Sequence, residues 1–305
     1  MKKKFYSNGK LLITGEYLVL DGAKAFALPT KKGQNLIIED GHKYEIIWKS
    51  FDADGSIWFE DTLSFAAISS GINDENDSVK STLITIFHEA YKVNPDFITN
   101  SGGYNITTEL GFPKSWGLGT SSTLINNIAQ WLQIDSFTLL KNSFGGSGYD
   151  IACAQNDTPI VYHLDQGVPT IEQVTFNPPF TNHLYFVYLN KKQSSKNAIA
   201  AYEVNKKNSL AKTISNNNAL TAQVLEANTI QSFATALQKH EIAMSILLET
   251  ATIKESLFPD FNGVIKSLGA WGGDFVMALS ADHPAEYFAA KGYETIVAYE
   301  DMILS

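Results

Sequence analysis

Two glycines followed by three hydroxyl residues form the stretch of this sequence best suited to binding an anion. Residues 113–122 read PKSWGLGTSS, and the apolar run 123–132 follows them. Gly117 and Gly119 let the backbone turn and approach a ligand closely, because neither carries a Cβ atom. Residues 120–122 would lie in the first turn of a helix, where unpaired amides and the positive end of the dipole favour a phosphate. A helix with an ordinary Ser or Thr cap after a glycine turn explains the same residues.

The segments around this loop favour the phosphate interpretation. Residues 104–110 alternate as a strand does, and the run after the loop is typical of a helix. The loop therefore joins a strand to a helix, which is the usual setting of a phosphate loop. It is not a Walker loop, because no Gly-Lys-Ser/Thr follows at the required spacing.

A second glycine-rich stretch places an acid at the start of a helix. Residues 144–152 read FGGSGYDIA, so three glycines precede Asp150. The carboxylate is either a first-turn acid favoured by the helix dipole or a group held against a substrate hydroxyl. The residues alone leave both interpretations open.

Near the N-terminus, two charged residues stand beside apolar strand-like runs. Lys10 follows Gly9 and Glu16 follows Gly15, with predicted strands at 11–13 and 17–20. Isolated charges usually stay solvated, so the residues by themselves favour a surface position over pairing at a site.

The remaining pattern predicts an α+β protein. Strands are expected at 25–28, in a meander at 36–39, 44–48 and 56–59, and at 160–163, 184–189, 275–279 and 295–299. Asp40-Gly41 and Asp54-Gly55 would form the hairpin turns of the meander. Helices are expected at 78–91 with Asp77 or Ser78 as cap, from about 197, and at 220–227, 230–248 and 285–290. Asn177-Pro178-Pro179 predicts a domain boundary, giving domains at 1–178 and 179–305.

Composition excludes several functional classes. The net charge of −9 argues against nucleic acid as a partner, because binding a phosphate backbone needs a basic face. No window approaches the roughly 20 apolar residues of a membrane span, and no signal-peptide core follows the basic start. The single cysteine, Cys153, excludes a disulfide framework and fits a reducing compartment. A cytoplasmic protein without membrane contact is expected.

Three glycine-rich stretches, in this order along the chain, resemble the motifs of the GHMP kinases, a superfamily that includes galactokinase, homoserine kinase, mevalonate kinase and phosphomevalonate kinase. Residues 9–17 are similar to the first motif, residues 113–122 to the second, which is the ATP-phosphate loop, and residues 269–274 to the third. Residues 148–152 read GYDIA and resemble the subgroup called the GYDIA family.

The resemblance implies a two-domain fold: an N-terminal domain like domain 2 of ribosomal protein S5 and a C-terminal ferredoxin-like α/β sandwich, with the active site between them. It implies ATP and Mg²⁺ as cofactors, and Asp150 and Lys10 as the catalytic residues. The implied ATP-binding residues are Gly117, Leu118, Gly119, Thr120, Ser121 and Ser122, with Ser121 as the Mg²⁺ ligand. The implied substrate-binding residues are Glu16, Ser147, Gly148, Gly272 and Gly273.

Two departures from the family pattern bear on function. Trp271 stands where the third motif normally has glycine, and Tyr17 replaces a histidine that often follows the glutamate in mevalonate kinases. A second Mg²⁺-binding carboxylate is not assigned. The resemblance predicts an ATP-dependent kinase for a mevalonate-like or phosphomevalonate-like small molecule. A nucleotide-binding regulator with weak or no turnover and a diphosphomevalonate decarboxylase-like enzyme are the alternatives, and the oligomeric state, including a homodimer, is left open.

Overall fold

A computed structural model describes residues 2–72, 78–206 and 210–304, and their contacts divide the chain into two units. The first unit comprises Met1–Gly9, Lys32–Lys114 and Leu118–Gln155, and the second comprises Lys10–Lys31, Ser115–Gly117 and Asn156–Ser305. The strands β1 (Lys2–Thr14) and β2 (Ala25–Asp40) contribute residues to both. A domain boundary after residue 178 stays a prediction.

In the first unit, β2 and three further strands pair in the order β4–β3–β5–β2. The three are β3 (Glu45–Phe51), β4 (Ile57–Ser64) and β5 (Tyr104–Leu110). The hairpin between β3 and β4 is confirmed. The predicted hairpin turn at Asp40-Gly41 is wrong, because β5 lies between β2 and β3, antiparallel to the former and parallel to the latter.

The helices of the first unit are α1 (Phe65–Ser70), α2 (Val79–Val93), α3 (Asp96–Thr99), α4 (Thr120–Leu132), α5 (Ser136–Ser143) and α6 (Tyr149–Gln155). The start of α2 agrees with the prediction, since the Ser78 hydroxyl accepts a hydrogen bond from the Ser81 amide at 3.0 Å. The other predicted cap, Asp77, lies outside the described residues.

An aromatic cluster joins the sheet of the first unit to its helices. Trp48 on β3 lies edge-on to Phe87 on α2, with ring centroids 5.9 Å apart, and Trp131 on α4 lies 4.9 Å from Tyr104 on β5. Trp48 and Phe87 are fully buried. Edge-to-face aromatic pairs each add stability beyond their buried area, so α4 is held firmly against the sheet.

In the second unit, residues 25–27 of β2 pair with β6 (Ile160–Asp165), which pairs with β7 (Val168–Gln173). A separate antiparallel sheet has the order β11–β8–β10–β9, formed by β8 (Leu184–Tyr188), β9 (Val264–Ser267), β10 (Phe275–Leu279) and β11 (Ile296–Ala298). On one face of it, Val187 and Val276 pack with Phe258 and Phe288. Alternate strand residues thus face this layer, as the pleat requires.

The helices of the second unit are α7 (Ser195–Asn205), α8 (Ala211–Leu225), α9 (Ile230–Leu248), α10 (Ile253–Leu257), α11 (Ala285–Ala290) and α12 (Tyr299–Met302). The predicted bounds of α9 and α11 are confirmed, whereas α8 begins well before the expected residue 220. The last strand, β11, is shorter than predicted because α12 begins at Tyr299. None of the helices in the described part of the chain is long and apolar enough to cross a membrane.

Short 3₁₀ helices occupy Leu18–Asp21, Lys114–Trp116 and Thr181–His183. The first of them replaces the strand predicted at 17–20. Gly15 and Tyr17 have φ values of 90° and 58°, outside the extended range, so the chain turns sharply after β1 instead of continuing as a strand.

Candidate active site

The predicted phosphate loop lies at the N-terminus of α4. Gly119, with φ 97°, is the N-cap of this helix and offers no side chain, so the amides of the first turn have no side-chain cap. The side chain of Ser121 is partly exposed, and within the described residues its hydroxyl makes no hydrogen bond. Uncapped amides, the helix dipole and an uncommitted hydroxyl together suit an anion.

The next hydroxyl along the helix is committed to the fold. Thr123 is buried, and its hydroxyl donates to the Gln34 side-chain oxygen at 2.6 Å, with the Gly119 carbonyl at 3.1 Å. The Asn127 amide donates to the Gln34 carbonyl at 2.9 Å. These bonds fix the first turns of α4 against β2 and hold the loop in place.

A cavity of about 180 Å³ adjoins this helix start in the first unit. Its lining includes Thr120 and Ser121 of the loop together with Gln34, Trp48, Ser50, Trp58, Val79, Thr82, Leu83, Ile86, Thr108, Leu124 and Phe144. The Lys114 ammonium lies 4.3 Å from the Trp58 ring centroid. The Trp58 indole nitrogen is buried and has no hydrogen-bond partner among the described residues. Uncapped amides beside an apolar cavity are the surroundings that a planar base attached to phosphates requires.

Asp150 lies in the first turn of α6, within the first unit, and is partly exposed. Gly148 before it has φ 93°, so glycine is needed to turn the chain into this helix. Ser147 is also partly exposed. The local geometry is the predicted one: a glycine turn that precedes an acid at a helix start.

Lys10 and Gly117 meet in the second unit. The Lys10 ammonium donates to the Gly117 carbonyl at 3.3 Å. The Asp274 carboxylate is also close to Gly117: a Cβ added to this glycine would come 2.3 Å from the Asp274 Cγ atom. Asp274 is the last residue of the third motif, and nothing in its sequence context signals a contact with residue 117.

Glu16 is buried, so the surface position that its sequence context favoured is wrong. Its carboxylate is fully buried and accepts a hydrogen bond from the Lys266 ammonium, which also lies 3.3 Å from a Glu241 carboxylate oxygen. His240 Nε2 is 3.6 Å from the other Glu16 oxygen and 3.2 Å from the Gly15 amide nitrogen. Glu16 thus links the first motif to the strand that precedes the third. Its predicted contact with substrate stays a prediction.

Burial governs the titration of this cluster. It raises the pKa of Glu16 to about 7, although the charge of Lys266 opposes the rise. Burial also lowers the pKa of His240 well below its usual value, and Lys266 adds to that effect. Burial alone would lower the pKa of Lys266, but Glu16 and Glu241 outweigh it and leave the pKa raised. Lys266 is therefore protonated, and both carboxylates interact with its single positive charge.

The first and third motifs also meet at a cavity of about 570 Å³ in the second unit. Trp271 is buried with Leu18, Tyr202 and Met244, and its amide donates to the Tyr17 hydroxyl at 3.1 Å. Gly272, with φ 89°, lines the cavity beside Gln193. The bulky indole is therefore accommodated in the hydrophobic core, while the backbone after it keeps a glycine conformation.

Gly273 also requires glycine, because a Cβ there would lie 2.7 Å from the Lys191 carbonyl oxygen.

The predicted site residues are thus divided between the units. Leu118, Gly119, Thr120, Ser121, Ser122, Ser147, Gly148 and Asp150 belong to the first unit, and Lys10, Glu16, Gly117, Gly272 and Gly273 to the second. Within the second, the structure brings Lys10 and Gly117 together. The roles given to all of these residues stay predictions.

The oxygen donors of the loop fit a magnesium ion that arrives with a nucleotide. No group of three or more His, Cys, Asp or Glu side chains able to hold a metal occurs among the described residues. Mg²⁺ is usually held by one or two protein oxygens, substrate phosphates and water, so a single hydroxyl such as that of Ser121 is a suitable partner.

The chain was compared with known protein families, curated proteins and solved structures. No family model and no curated protein matches the chain. Three similar solved structures are the Methanococcus jannaschii mevalonate kinase, the Streptococcus pneumoniae phosphomevalonate kinase in complex with phosphomevalonate and AMPPNP, and the Lactococcus lactis galactokinase complexed with galactose. Their sequence identities to this chain are 15%, 18% and 13%, with TM-scores of 0.69, 0.70 and 0.72.

These likenesses extend over nearly the full chain. They cover 96%, 96% and 100% of this protein, and 94%, 99% and 94% of the respective structures. The three matched enzymes are named for different acceptors, so the common element is the architecture. The chain has the two-domain α+β fold of the GHMP kinases.

Proposed function

We propose that this protein is an ATP-dependent kinase that transfers a phosphoryl group from Mg·ATP to a hydroxyl or phosphate of a mevalonate-like or phosphomevalonate-like acceptor, as a step of isoprenoid precursor synthesis. The observation that carries the proposal is the start of α4: uncapped amides and the Ser121 hydroxyl stand beside a cavity suited to a planar base. The shared kinase fold supports it.

The nucleotide would bind with its phosphates on residues 117–122 and its base in the cavity lined by Trp58. Backbone amides stabilise charge on phosphate oxygens without having to reorganise during the reaction, which is where most of the catalytic effect in phosphoryl transfer arises. Mg²⁺, when bound, would neutralise charge on the phosphate oxygens. Ser121 would supply one of its protein oxygens.

Asp150 would accept the proton of the acceptor hydroxyl as the oxygen attacks the γ-phosphorus atom. Lys10 would stabilise the negative charge of the transferred group. Glu16, Ser147, Gly148, Gly272 and Gly273 would contact the acceptor, as the resemblance implies. Preorganised charges and a held acceptor are what phosphoryl transfer requires.

The test is ADP release with Mg·ATP against mevalonate, phosphomevalonate, diphosphomevalonate, homoserine and galactose. We expect acceptor-dependent ADP with mevalonate or phosphomevalonate, and a loss of about 10²-fold or more in kcat for Asp150→Asn with nearly unchanged ATP affinity. Asp96→Asn is the matched control, because Asp96 is also a first-turn helix acid of the first unit but is exposed.

The other outcomes are equally informative. ATP binding measured by calorimetry without acceptor-dependent ADP would favour the nucleotide-binding regulator. Release of phosphate and carbon dioxide from diphosphomevalonate would identify the decarboxylase. Unchanged turnover in Asp150→Asn would remove this carboxylate from the mechanism.

A further inference from the structure

Gln34 is a buried polar residue on the face of β2 that packs against α4. It is 1% exposed, and Leu36 and Ile38, which share its face of the strand, are buried and apolar. Polar side chains in such positions are almost always hydrogen-bonded. The Gln34 side-chain oxygen accepts from the Thr123 hydroxyl at 2.6 Å. The side-chain nitrogen, Nε2, donates to no group within the described residues.

The unpartnered Nε2 atom is accessible from the cavity of about 180 Å³ beside the start of α4, which Gln34 lines. In the described part of the chain, the side-chain nitrogens and oxygens that are fully buried without a partner belong to Glu16, Trp58, His240 and Trp271. Nε2 of Gln34 is not one of them, so it keeps some accessible surface. Because the rest of Gln34 is enclosed, this surface opens into the cavity.

Ser50 on β3 presents a second donor to the same cavity. Its hydroxyl oxygen accepts from the Trp48 indole nitrogen at 2.8 Å and from the Thr108 hydroxyl at 2.9 Å. These two bonds use both lone pairs of the oxygen, so only its proton is left to interact. Ser50 is 2% exposed and lines the cavity. The sheet therefore offers two hydrogen-bond donors in a mostly apolar cavity, and a ligand there needs acceptor atoms.

We propose that Gln34 is a specificity-determining residue of the nucleotide site: its Nε2 group donates a hydrogen bond to a ring nitrogen of the base, and Thr123 holds the amide in that orientation. This inference rests on the proposed function, which assigns the base of ATP to this cavity. Adenine presents unprotonated ring nitrogens as acceptors, and a buried donor without an acceptor is costly. A base that supplies the acceptor is therefore favoured over one that lacks it.

Two other roles would also account for this buried amide. In the first, Gln34 only braces α4 through Thr123 and touches no ligand. In the second, the Thr123 proton goes to the Gly119 carbonyl, 3.1 Å away, and the Gln34 amide is turned so that its oxygen lies in the cavity. A turned amide would accept from the exocyclic amino group of adenine and would not bind a ring nitrogen. Nucleotide analogues distinguish the three roles.

The first experiment is calorimetric binding to the wild-type protein with Mg²⁺ and without an acceptor. The ligands are ATP, its 1-deaza, 3-deaza and 7-deaza analogues, purine riboside triphosphate, which lacks the amino group, and inorganic tripolyphosphate. We expect one deaza analogue, in which C–H replaces the contacted nitrogen, to bind about tenfold more weakly than ATP. Purine riboside triphosphate should bind within about threefold of ATP.

Equal affinities of ATP and all three deaza analogues would overturn the proposal. If purine riboside triphosphate alone bound weakly, the turned amide would be the correct arrangement. Binding is measured without turnover, so this result is separable from a failure of the kinase assignment, which the wild-type ADP assay judges.

The second experiment repeats the series with Gln34→Met, which keeps a side chain of similar length and removes the amide. We expect ATP to bind about tenfold more weakly and no better than the sensitive deaza analogue. Tripolyphosphate should bind within about twofold of wild type, because Thr123 still has the Gly119 carbonyl as a partner. Asn35→Leu is the matched control and should change none of these affinities. Asn35 is the next residue of β2, its side chain lies on the opposite face, and it donates to Glu109 at 3.3 Å.

Equal losses for ATP and tripolyphosphate in Gln34→Met would show a brace and contradict the proposal. Circular dichroism checks that the variant is folded. If it is not, the wild-type analogue series decides the question by itself, since it changes the ligand and leaves the protein intact.

Discussion

The second and third glycine-rich loops differ in how their polar groups are satisfied. At the start of α4, the first-turn amides have no side-chain cap, and the Ser121 hydroxyl makes no hydrogen bond within the described residues. In the third motif, the Trp271 amide bonds to Tyr17 and its carbonyl to Gln193. Similar glycine content thus serves two purposes. The first arrangement leaves groups available for a ligand, and the second joins segments of the protein to one another.

The largest effect is expected for Trp271, which tests whether the third loop joins segments of the protein. If it does, Trp271→Gly removes a buried indole and lowers the free energy of unfolding by about 4 kcal/mol. Urea denaturation measures the loss, and Trp271→Phe, which keeps a ring in the core, should retain most of the stability. A stable Trp271→Gly variant with raised turnover would instead show that the loop approaches a ligand.

The next largest effect is expected for Glu16, whose burial should make the free energy of unfolding depend on pH. Because the pKa of Glu16 is raised to about 7, the folded protein binds more protons than the unfolded chain between about pH 4.5 and 7. The contribution of this group is therefore complete below pH 4.5 and is lost as the pH rises, by about 3 kcal/mol in total. Glu16→Gln should lack this slope when free energies of unfolding are measured by urea denaturation at a series of pH values.

Glu255→Gln provides a control of opposite sign. Hydrogen bonds from Thr252 lower the pKa of the exposed Glu255, so its contribution is present at neutral pH and lost on acidification. Identical pH dependence of the wild type and Glu16→Gln would mean that Glu16 is not buried as described.

Substitution of Gly117 tests the contact between the second and third motifs, because Gly117 lies against Asp274. Gly117→Ala places a Cβ at φ 68° and against the Asp274 carboxylate, so it should lower kcat/KM about 10²-fold, or about 2.7 kcal/mol. Gly145→Ala is the matched control, because Gly145 has φ 81° but nothing within 4 Å of its added Cβ. It should show only the modest strain of a positive φ. Equal kinetic losses in the two variants would show that the Asp274 contact does not matter.

The smallest effects are expected for the hydroxyls of Ser121 and Thr123, and they should distinguish a ligand-binding group from a structural one. Thr123→Ala breaks the bond to Gln34 and should lower the free energy of unfolding by about 1–2 kcal/mol. Ser121→Ala should leave thermal stability almost unchanged and raise the KM for Mg·ATP. Differential scanning calorimetry and steady-state kinetics distinguish the two, and an equal stability loss in Ser121→Ala would make its hydroxyl a structural cap.

Local signals predicted much of this architecture, and long-range contacts account for the errors. Periodicity located β5, α9 and α11 because each has one buried face, and it located α4 after the glycine loop. The strand predicted at 17–20 failed because β-prone residues were read without the turn that Gly15 and Tyr17 impose. The hairpin expected at Asp40-Gly41 failed because a turn dipeptide cannot reveal that β5 inserts beside β2.

The site was predicted unevenly for the same reason. Glycines and hydroxyls adjacent in sequence, Gly117 among them, marked the phosphate loop, and the role of Lys10 was implied by the resemblance. Asp274 and Trp58 were missed, since each acquires its setting only when distant segments meet. The burial of Glu16 depends on Lys266, which lies 250 positions away. A charge beside an apolar strand carries no sign of such a partner.

The insertion of β5 between β2 and β3 has a consequence for how the chain reaches this fold. The β3–β4 hairpin can close as soon as it is synthesised, but its other edge must wait for a parallel partner that begins at Tyr104. Until then β2 and β3 each present an unpaired edge, which is a template for pairing with another chain. Non-local pairing of this kind slows folding. A nascent chain that stalls before β5 is therefore the species most exposed to aggregation.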